Sequence, residues 1–209
     1  MASRPDGTPR HTRNPRGSGD RLRQDLVTAA NRLLEDGATH ESLSLRAVAR
    51  EVGIAATSVY LHFPDKMSLL LAVYQRHFVE LINHIDQAVA RHTDPVARLR
   101  AVAAAYCEFA DDHPDVYRVM FTVPSVPELP RAISDDQLPG VAVLESVHEI
   151  IKDCIEAGRL PRTDPYAATL CLWAALHGII TLRAARPYVP WPPRDTLIDT
   201  LLAGTIGAT

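Results

Sequence analysis

The sequence predicts an all-α protein of about nine helices, and three observations support this fold class. Apolar residues recur at three- and four-residue intervals along most of the chain, which is the period of an amphipathic helix. Proline after aspartate, as at Asp94-Pro95 and Asp164-Pro165, marks helix starts, and glycine, as at Gly53, marks helix ends. No alternating pattern of convincing strand length appears between these signals.

Each helix has its own start and stop signals. The first begins at Asp20 or Arg21 and ends near Glu35, before Asp36-Gly37. The next begins after Ser44, a residue that caps helix N-termini well, and ends at Gly53. The same reasoning places the remaining helices over residues 56–62, 66–91, 95–112, 114–121, 140–157, 165–185 and 194–203.

Charge divides the chain into two unequal parts. Residues 1–76 carry 11 basic and 8 acidic side chains, whereas residues 77–209 carry 11 and 17. A basic end joined to an acidic remainder suits a protein that presents one end to phosphates. We predict three segments: a disordered arm, rich in Arg, Pro and Gly, that either reaches DNA or is simply solvated; a first helical domain; and a larger helical domain. They cover residues 1–19, 20–66 and 67–209.

Composition argues against membrane, secreted and metal-binding classes. The chain is 46% apolar, which is ordinary for a soluble globular protein, and no run approaches the roughly 18 apolar residues of a membrane span. The N-terminus lacks the apolar stretch of a secretory signal. Cys107, Cys154 and Cys171 match no zinc motif and are expected to be buried thiols. We expect a cytoplasmic protein that uses no metal or cofactor and is not an enzyme, because no nucleophile elbow or phosphate loop is present.

The segment from Ser44 to Lys66 carries the clearest functional pattern. A glycine turn at Gly53 joins its first helix to a second short helix, in which Val59 and Phe63 are expected to point inward. Two short helices joined in this way form a helix-turn-helix, whose second helix enters the DNA major groove. The first helix places four apolar residues on one buried face: Leu45, Val48, Ala49 and Val52.

At these residues the chain resembles the TetR family of bacterial transcriptional regulators. The sequence departs from the family pattern at Ala55, where a capping serine is frequent, and at Thr57, where glycine is frequent. Since alanine cannot accept a capping hydrogen bond, another group or water must satisfy those amides. The resemblance implies a three-helix DNA-binding domain followed by a helical ligand-binding and dimerisation domain. It covers about residues 21–78 and is carried by Ser44, Val48-Ala49, Gly53, Tyr60, Phe63 and Lys66.

Residues able to donate hydrogen bonds to phosphates or base edges cluster in the helix-turn-helix. Hydroxyl and cationic side chains are the groups that most often contact the DNA backbone. The alternative is that Tyr60 packs in the interior and Lys66 is merely solvated. We predict DNA contacts from Ser44, Arg46, Thr57, Ser58, Tyr60, His62 and Lys66.

A second candidate site lies in the larger domain. The segment LWAALHGIITL, residues 172–182, resembles the Trp…His-Gly segment of one branch of the family, in which this helix lines a ligand cavity and contributes to the dimer interface. The alternative is that its aromatic residues only fill a core. We predict an apolar ligand pocket lined by Tyr106, Phe109, Phe121, Leu144, Trp173 and His177.

These features together predict a homodimeric repressor that a small apolar effector releases from its double-stranded DNA operator. The last two helices are expected to form the dimer interface. Two other functions stay open. One is an all-α enzyme or small-molecule or lipid carrier, which would have no need of a helix-turn-helix. The other is a DNA-binding regulator that has no ligand.

Overall fold

The chain is all-α, as predicted, in the computed structural model, which describes residues 18–39, 41–121 and 140–205. The predicted basic arm up to residue 17 and the proline-rich segment 122–139 lie outside the described residues. Within the described part there is no strand, and the helices are α1 Ser18–Glu35, α2 Leu45–Val52, α3 Ala56–Val59, α4 Lys66–Val89, α5 Pro95–Asp112, α6 Pro114–Phe121, α7 Val141–Glu156, α8 Pro165–Ala185 and α9 Arg194–Thr205.

Side-chain caps fix the starts of several helices. Ser44 accepts a hydrogen bond from the amide of Ala47 at 3.2 Å, at the start of α2. Asp94 accepts one from the amide of Ala97 at 2.9 Å and precedes the proline that begins α5. Gly53 ends α2 with φ 76° and ψ 33°, the left-handed geometry that glycine adopts without strain. The cap signals of the sequence therefore determine real boundaries.

Boundaries of five helices differ from the prediction by one to three residues, and those of α1 and α3 bear on the candidate site. Helix α1 begins at Ser18, so residues 18 and 19 are helical and do not belong to a disordered arm. Helix α3 ends at Val59 and a turn follows over residues 60–62, although the pattern predicted helix to His62. Pro64 disfavours helical geometry only at Phe63, so it sets an outer limit for the helix and does not explain its end at Val59.

The chain forms two compact units, Met1–Leu69 and Leu70–Thr209, which we call unit 1 and unit 2. In unit 1, α2 packs against α1 and α3. The prediction that Val59 and Phe63 point inward is confirmed, since both side chains are fully buried. Val52, which was expected on the buried face of α2, is only half-buried. The core of unit 1 closes around Leu26, Leu34, Val48, Val59 and Phe63.

Helix α5 lies at the centre of unit 2 and contacts α6, α7, α8 and α9. Alanines at Ala103 and Ala105 are fully buried, so neighbouring helices approach its backbone closely. Cys107 and Cys154 are buried free thiols, as expected, but Cys171 is exposed on α8, which corrects that expectation. Larger buried side chains complete this core: Leu99, Val102, Ile150, Ile151, Leu172 and Ile198.

Helix α8 corrects the expectation that no segment has the length and apolarity of a membrane span. Among the described residues this 21-residue helix alone meets that criterion, with a mean hydropathy of 1.4 over its most apolar window. Core and interface helices of globular proteins meet the same criterion. Only 22% of that window is buried within the single chain, so most of its apolar surface is uncovered.

Gly140 supports a testable prediction, because it precedes α7 at φ 95° and faces the ring of Phe78. A Cβ atom at Gly140 would lie 2.7 Å from Cε1 of Phe78, whereas a Cβ at Gly158, with φ 69°, would meet nothing within 4 Å. Both alanine variants carry the cost of a left-handed backbone. We expect Gly140→Ala to lower the free energy of unfolding by about 1–3 kcal/mol more than Gly158→Ala, in denaturant titrations. Equal losses would show that the Phe78 contact imposes no constraint.

Candidate nucleic-acid interface and effector cavity

Four of the seven predicted DNA contacts surround one open groove on unit 1. The N-terminal end of α2 supplies Ser44 and Arg46, the turn after α3 supplies Tyr60, and the first residue of α4 supplies Lys66. The structure thus brings together residues that are up to 22 positions apart in the sequence. The groove has a volume of about 530 Å³ and is lined in addition by Glu41, Leu43, Leu45, Pro64 and Asp65.

The polar atoms of this groove already have defined roles. The Ser44 hydroxyl oxygen accepts the capping bond of α2, which leaves its hydrogen available to a phosphate oxygen. The Lys66 ammonium donates to the carbonyl of Glu41 at 3.3 Å, so it ties α4 to the loop before α2. Two hydrogen bonds from Ser68 lower the pKa of the Asp65 carboxyl, which therefore stays charged beside the groove.

Tyr60 and Leu61 are the most prominent side chains of the turn after α3. Their exposed fractions are 54% and 84%, although both are large apolar groups. An exposed tyrosine fits a surface contact and does not fit a core position. Exposed large side chains on a helix-turn-helix are available to DNA.

The other three predicted contacts lie outside the groove. Thr57 is exposed on α3, and Ser58 and His62 are half-buried. His62 lies near α1. A Cβ atom placed on Gly19 of that helix would be 3.9 Å from Cε1 of His62. Ala55, which precedes α3, makes no side-chain capping bond, as its departure from the family pattern implied.

Two contacts that hold the interface in place were missed from the sequence. The Arg23 guanidinium of α1 lies 4.5 Å from the centre of the Phe63 ring, a cation–π contact beneath the turn after α3. Arg32 pairs with Glu51 of α2 at 3.3 Å. No local pattern could reveal these pairs, because their members lie far apart in the sequence.

A cavity of about 1090 Å³ opens on unit 2, between the C-terminal halves of α5 and α8 and along α6. Phe121 and His177 line it, and these are two of the six predicted ligand contacts. Trp191 also lines it, with its indole N–H donating to the carbonyl of Arg186 at 3.0 Å. The lining further includes Ala110, Asp111, Pro114, Asp115, Tyr117, Arg118, Ile180, Thr181, Arg183, Ala184, Ala185, Pro187, Val189 and Pro190.

The remaining four predicted ligand contacts do not line this cavity. Tyr106 and Phe109 are buried in the core, Leu144 is half-buried on α7, and Trp173 is 38% exposed on α8. The cavity thus includes two of the six predicted residues, and the ligand site itself stays a prediction. The aromatic pattern showed that rings gather here, but it did not show which side of the ring cluster is open.

A run of hydrogen bonds joins the buried cluster to the cavity wall. The Trp173 indole N–H donates to the Tyr106 hydroxyl at 3.1 Å, and that hydroxyl is 3.0 Å from the Tyr117 hydroxyl. The Tyr117 hydroxyl lies 2.6 Å from Nδ1 of His177. Burial raises the pKa of Tyr106 to about 12 and raises that of Tyr117, while it lowers the pKa of His177. All four groups are therefore uncharged at neutral pH.

Comparison with known families agrees with this geometry. Residues 26–73 match the model for bacterial regulatory proteins of the tetR family, and residues 99–205 match the tetracyclin repressor-like C-terminal domain. The chain belongs to the TetR family of transcriptional regulators. The two matched segments contain the helix-turn-helix and most of unit 2, respectively.

Individual relatives extend the comparison. The HTH-type transcriptional activator FasR of Mycolicibacterium smegmatis is 31% identical over 145 residues, which span 69% of this chain and 64% of that protein. A solved protein of unknown function from Rhodococcus sp. RHA1 is 27% identical, with a TM-score of 0.70 and coverage of 92% and 94%. FadR of Bacillus subtilis in complex with stearoyl-CoA shares the fold, at 13% identity, a TM-score of 0.67 and coverage of 87% and 98%.

Tyr60→Phe should weaken operator binding and leave the melting temperature nearly unchanged. The substitution removes only a hydroxyl from a side chain that is more than half exposed. We expect a several-fold loss of affinity, the size of one hydrogen bond, in a fluorescence anisotropy titration beside thermal unfolding. A fall in stability of about 1–3 kcal/mol with unchanged DNA binding would instead mean that the hydroxyl has a buried partner.

Lys66→Ala should lower affinity for all DNA sequences alike and reduce the salt slope of binding by about one unit. Lys66→Arg is the matched control, because it keeps the cation that displaces a counterion. Since Lys66 also donates to Glu41, thermal unfolding of both variants separates a lost DNA contact from a disturbed α4. An unchanged slope in the alanine variant would remove Lys66 from the interface.

Tryptophan fluorescence should report on the cavity through Trp191. This indole lines the cavity, whereas Trp173 is hydrogen-bonded to Tyr106 outside it. We expect an effector to change the emission of the wild-type protein and of Trp173→Phe, and to change that of Trp191→Phe much less, since Trp173 senses the cavity only across His177, with ring centres 6.3 Å apart. Emission that no effector changes in Trp173→Phe would show that the effector does not contact Trp191.

Proposed function

We propose that this protein is a dimeric, effector-responsive regulator that binds operator DNA through unit 1 and a small apolar molecule through unit 2. Family and fold point to a transcription regulator and away from an enzyme. The observation that carries the proposal is the groove at the start of α2, where Ser44, Arg46, Tyr60 and Lys66 converge. A protein of this family acts on DNA, so we expect it in the cytoplasm.

The groove has the chemistry of a phosphate-binding surface. Two cations, a serine hydroxyl and a tyrosine hydroxyl face one opening, and each can donate a hydrogen bond to a phosphate oxygen. The capped N-terminus of α2 lies beside them and favours negative charge. Such contacts fix the register of the protein on the duplex. Base contacts would then come from α3 and the following turn, through the exposed Thr57, Tyr60 and Leu61 and the half-buried Ser58 and His62.

The unit 2 cavity supports an apolar effector. Its volume of about 1090 Å³ is slightly above the usual range for small-molecule sites, and apolar surface makes up most of its wall. The polar side chains of the wall are Tyr117, His177, Thr181 and two arginines, Arg118 and Arg183, with their acidic partners Asp115 and Asp111. A related fold binds stearoyl-CoA, as its name states, so we include acyl compounds among the first ligands to test.

Effector and operator are proposed to affect one another through the same protein. An effector that prefers the conformation unsuited to the operator weakens DNA binding, and the operator then weakens effector binding by the same factor. A coupling of about 1–3 kcal/mol is typical of such systems. We propose repression relieved by the effector. Since FasR is named an activator, transcription in vitro from the bound promoter is the measurement that decides the sign.

Dimerisation is proposed to use the uncovered face of α8, with α9 beside it. Small residues on this face, at positions 167, 171, 174 and 178, would let a second copy approach closely, and Leu182 ends the row. The inner side of α9 packs on α5 through Ile198 and Leu202, and its outer side is polar. An apolar helix face of this length is typical of the centre of a four-helix interface.

A carrier or enzyme built on the cavity is the second candidate, and the cavity alone would favour it. A gel-shift assay with the DNA that flanks the gene tests the proposal directly, followed by titration of candidate effectors into the complex. Specific retardation that an effector reverses is the expected result. Effector binding without any specific DNA binding would favour the carrier, and DNA binding that no effector alters would favour a regulator without a ligand.

Leu182→Asp should shift the protein from dimer to monomer in sedimentation velocity. Leu182 is 53% exposed in the single chain, so its replacement does not disturb the core of unit 2, but it places a carboxylate in the proposed interface. Val79→Asp is the matched control, since Val79 is 55% exposed on α4. A dimer that tolerates Leu182→Asp as well as Val79→Asp would refute the α8 interface.

A further inference from the structure

The three hydrogen bonds that run from Trp173 through Tyr106 and Tyr117 to His177 can be oriented in two ways. Among the described residues, only one orientation gives every buried hydrogen an acceptor. An indole N–H can only donate, so the Tyr106 oxygen must accept from Trp173. In the part of the chain that the structure describes, the hydroxyl hydrogen of Tyr106 then has one acceptor within reach, the Tyr117 oxygen at 3.0 Å. Tyr117 in turn must donate to Nδ1 of His177 at 2.6 Å. The reverse direction would leave the Tyr106 hydrogen buried without an acceptor, which costs about 1–3 kcal/mol.

This direction fixes the tautomer of His177. Because Nδ1 accepts from Tyr117, the ring hydrogen of the neutral imidazole is on Nε2. Burial lowers the pKa of His177, which keeps the ring neutral. Among the described residues Nε2 of His177 has no hydrogen-bond partner. It is not one of the buried unpaired atoms, so it is accessible to a ligand or to water. His177 lines the unit 2 cavity, so Nε2–H is a donor at the cavity surface.

We infer that His177 selects effectors whose polar end accepts a hydrogen bond, namely a carboxylate or an acyl carbonyl on an apolar body, and that Trp173, Tyr106 and Tyr117 act as positioning residues for this donor. The inference rests on the effector role proposed above and specifies the ligand for that site. A neutral imidazole locked as an Nε2 donor discriminates against a polar end that can only donate. Most of the remaining wall is apolar and takes the body of the ligand.

The arginines of the cavity do not replace this selection. Arg183 lies 3.9 Å from Asp111, and Arg118 lies 3.6 Å from Asp115, so each cation faces an acidic partner. A free carboxylate gains more from these arginines than a neutral carbonyl does. His177 can donate to both, although its bond to a carboxylate is charge-assisted and stronger. Comparison of two uncharged ligands that differ only by a carbonyl therefore separates the role of the histidine from that of the arginines.

The binding test uses four related probes on the full-length protein. The thioester S-methyl decanethioate and the thioether decyl methyl sulfide differ only by the carbonyl, and neither has a second strong acceptor. Decanoate supplies the carboxylate, and decylamine supplies a polar end that, when protonated, can only donate. We expect the thioester to bind about tenfold more tightly than the thioether, the effect of one hydrogen bond. Decylamine can meet the carboxylates of Asp111 and Asp115 in the wall, so its affinity should not depend on His177 and should be unchanged in His177→Asn. The affinity of decanoate relative to the thioester shows whether a carboxylate or an acyl carbonyl is preferred.

Two variants of His177 form a matched pair for this test. His177→Asn keeps an acceptor for Tyr117 at the position of Nδ1 but lacks the Nε2 donor, so the preference for the thioester should fall below twofold. His177→Gln places an amide donor near the position of Nε2 and should retain part of the preference. His92→Asn, on an exposed histidine of unit 2, should keep it in full. A wild-type protein that binds thioester and thioether equally, or a His177→Asn variant that keeps the preference, would overturn the inference.

The tautomer has a direct spectroscopic readout, which tests the direction of the hydrogen bonds independently of ligand binding. Ring nitrogen NMR of ¹⁵N-histidine-labelled protein at pH 7.5, assigned by comparison with His177→Asn, should show protonated Nε2 and unprotonated Nδ1. In Tyr117→Phe, which leaves Tyr106 and Trp173 in place, His177 should lose its preference for the tautomer protonated at Nε2. Protonated Nδ1 in the wild type would refute the direction of the hydrogen bonds. If no probe binds at all, the acceptor inference fails, while operator binding in the gel shift still decides the proposed function.

Discussion

Close packing around α5 is the constraint on which the rest of unit 2 depends. Four helices contact this one helix, and fully buried alanines such as Ala103 and Ala105 allow their approach. A larger side chain at either position would separate the helices, because protein interiors have little room to absorb added volume. The same helix also contributes Tyr106 to the hydrogen-bonded cluster and Ala110 to the cavity wall. Core, polar cluster and cavity thus depend on the position of one helix.

Local signals in the sequence were sufficient to predict the helices and the helix-turn-helix. Caps such as Ser44 and Asp94 act within three residues of their partners, so a single sequence contains all the information that they use. The early end of α3 at Val59 has no such local signal, since Pro64 restricts only Phe63, and the helical period continued past it. Four groove residues were predicted because a known pattern joined them, whereas Arg23 beneath Phe63 belongs to no pattern.

The position of the cavity could not be predicted for a different reason. Tyr106 and Phe121 both carry aromatic rings in the same cluster, with ring centres 6.4 Å apart, yet only Phe121 lines the opening. Periodicity assigns residues to the inner face of a helix, but it does not distinguish a filled interior from an open one. That difference depends on how α6, α8 and residues 186–191 are placed around the end of α5. Trp191 lines the cavity for this reason, although its local sequence resembles an ordinary proline-rich turn.

The uncovered apolar surface of α8 also has a consequence for the life of the chain in the cell. In the proposed dimer, a newly made copy would expose this surface until it met another, and during that interval it would be open to aggregation and to proteolysis. If two copies cover it, mass action makes resistance to unfolding rise with protein concentration. The abundance of the regulator and its survival would then be linked, so that a sparse regulator is removed faster than a plentiful one.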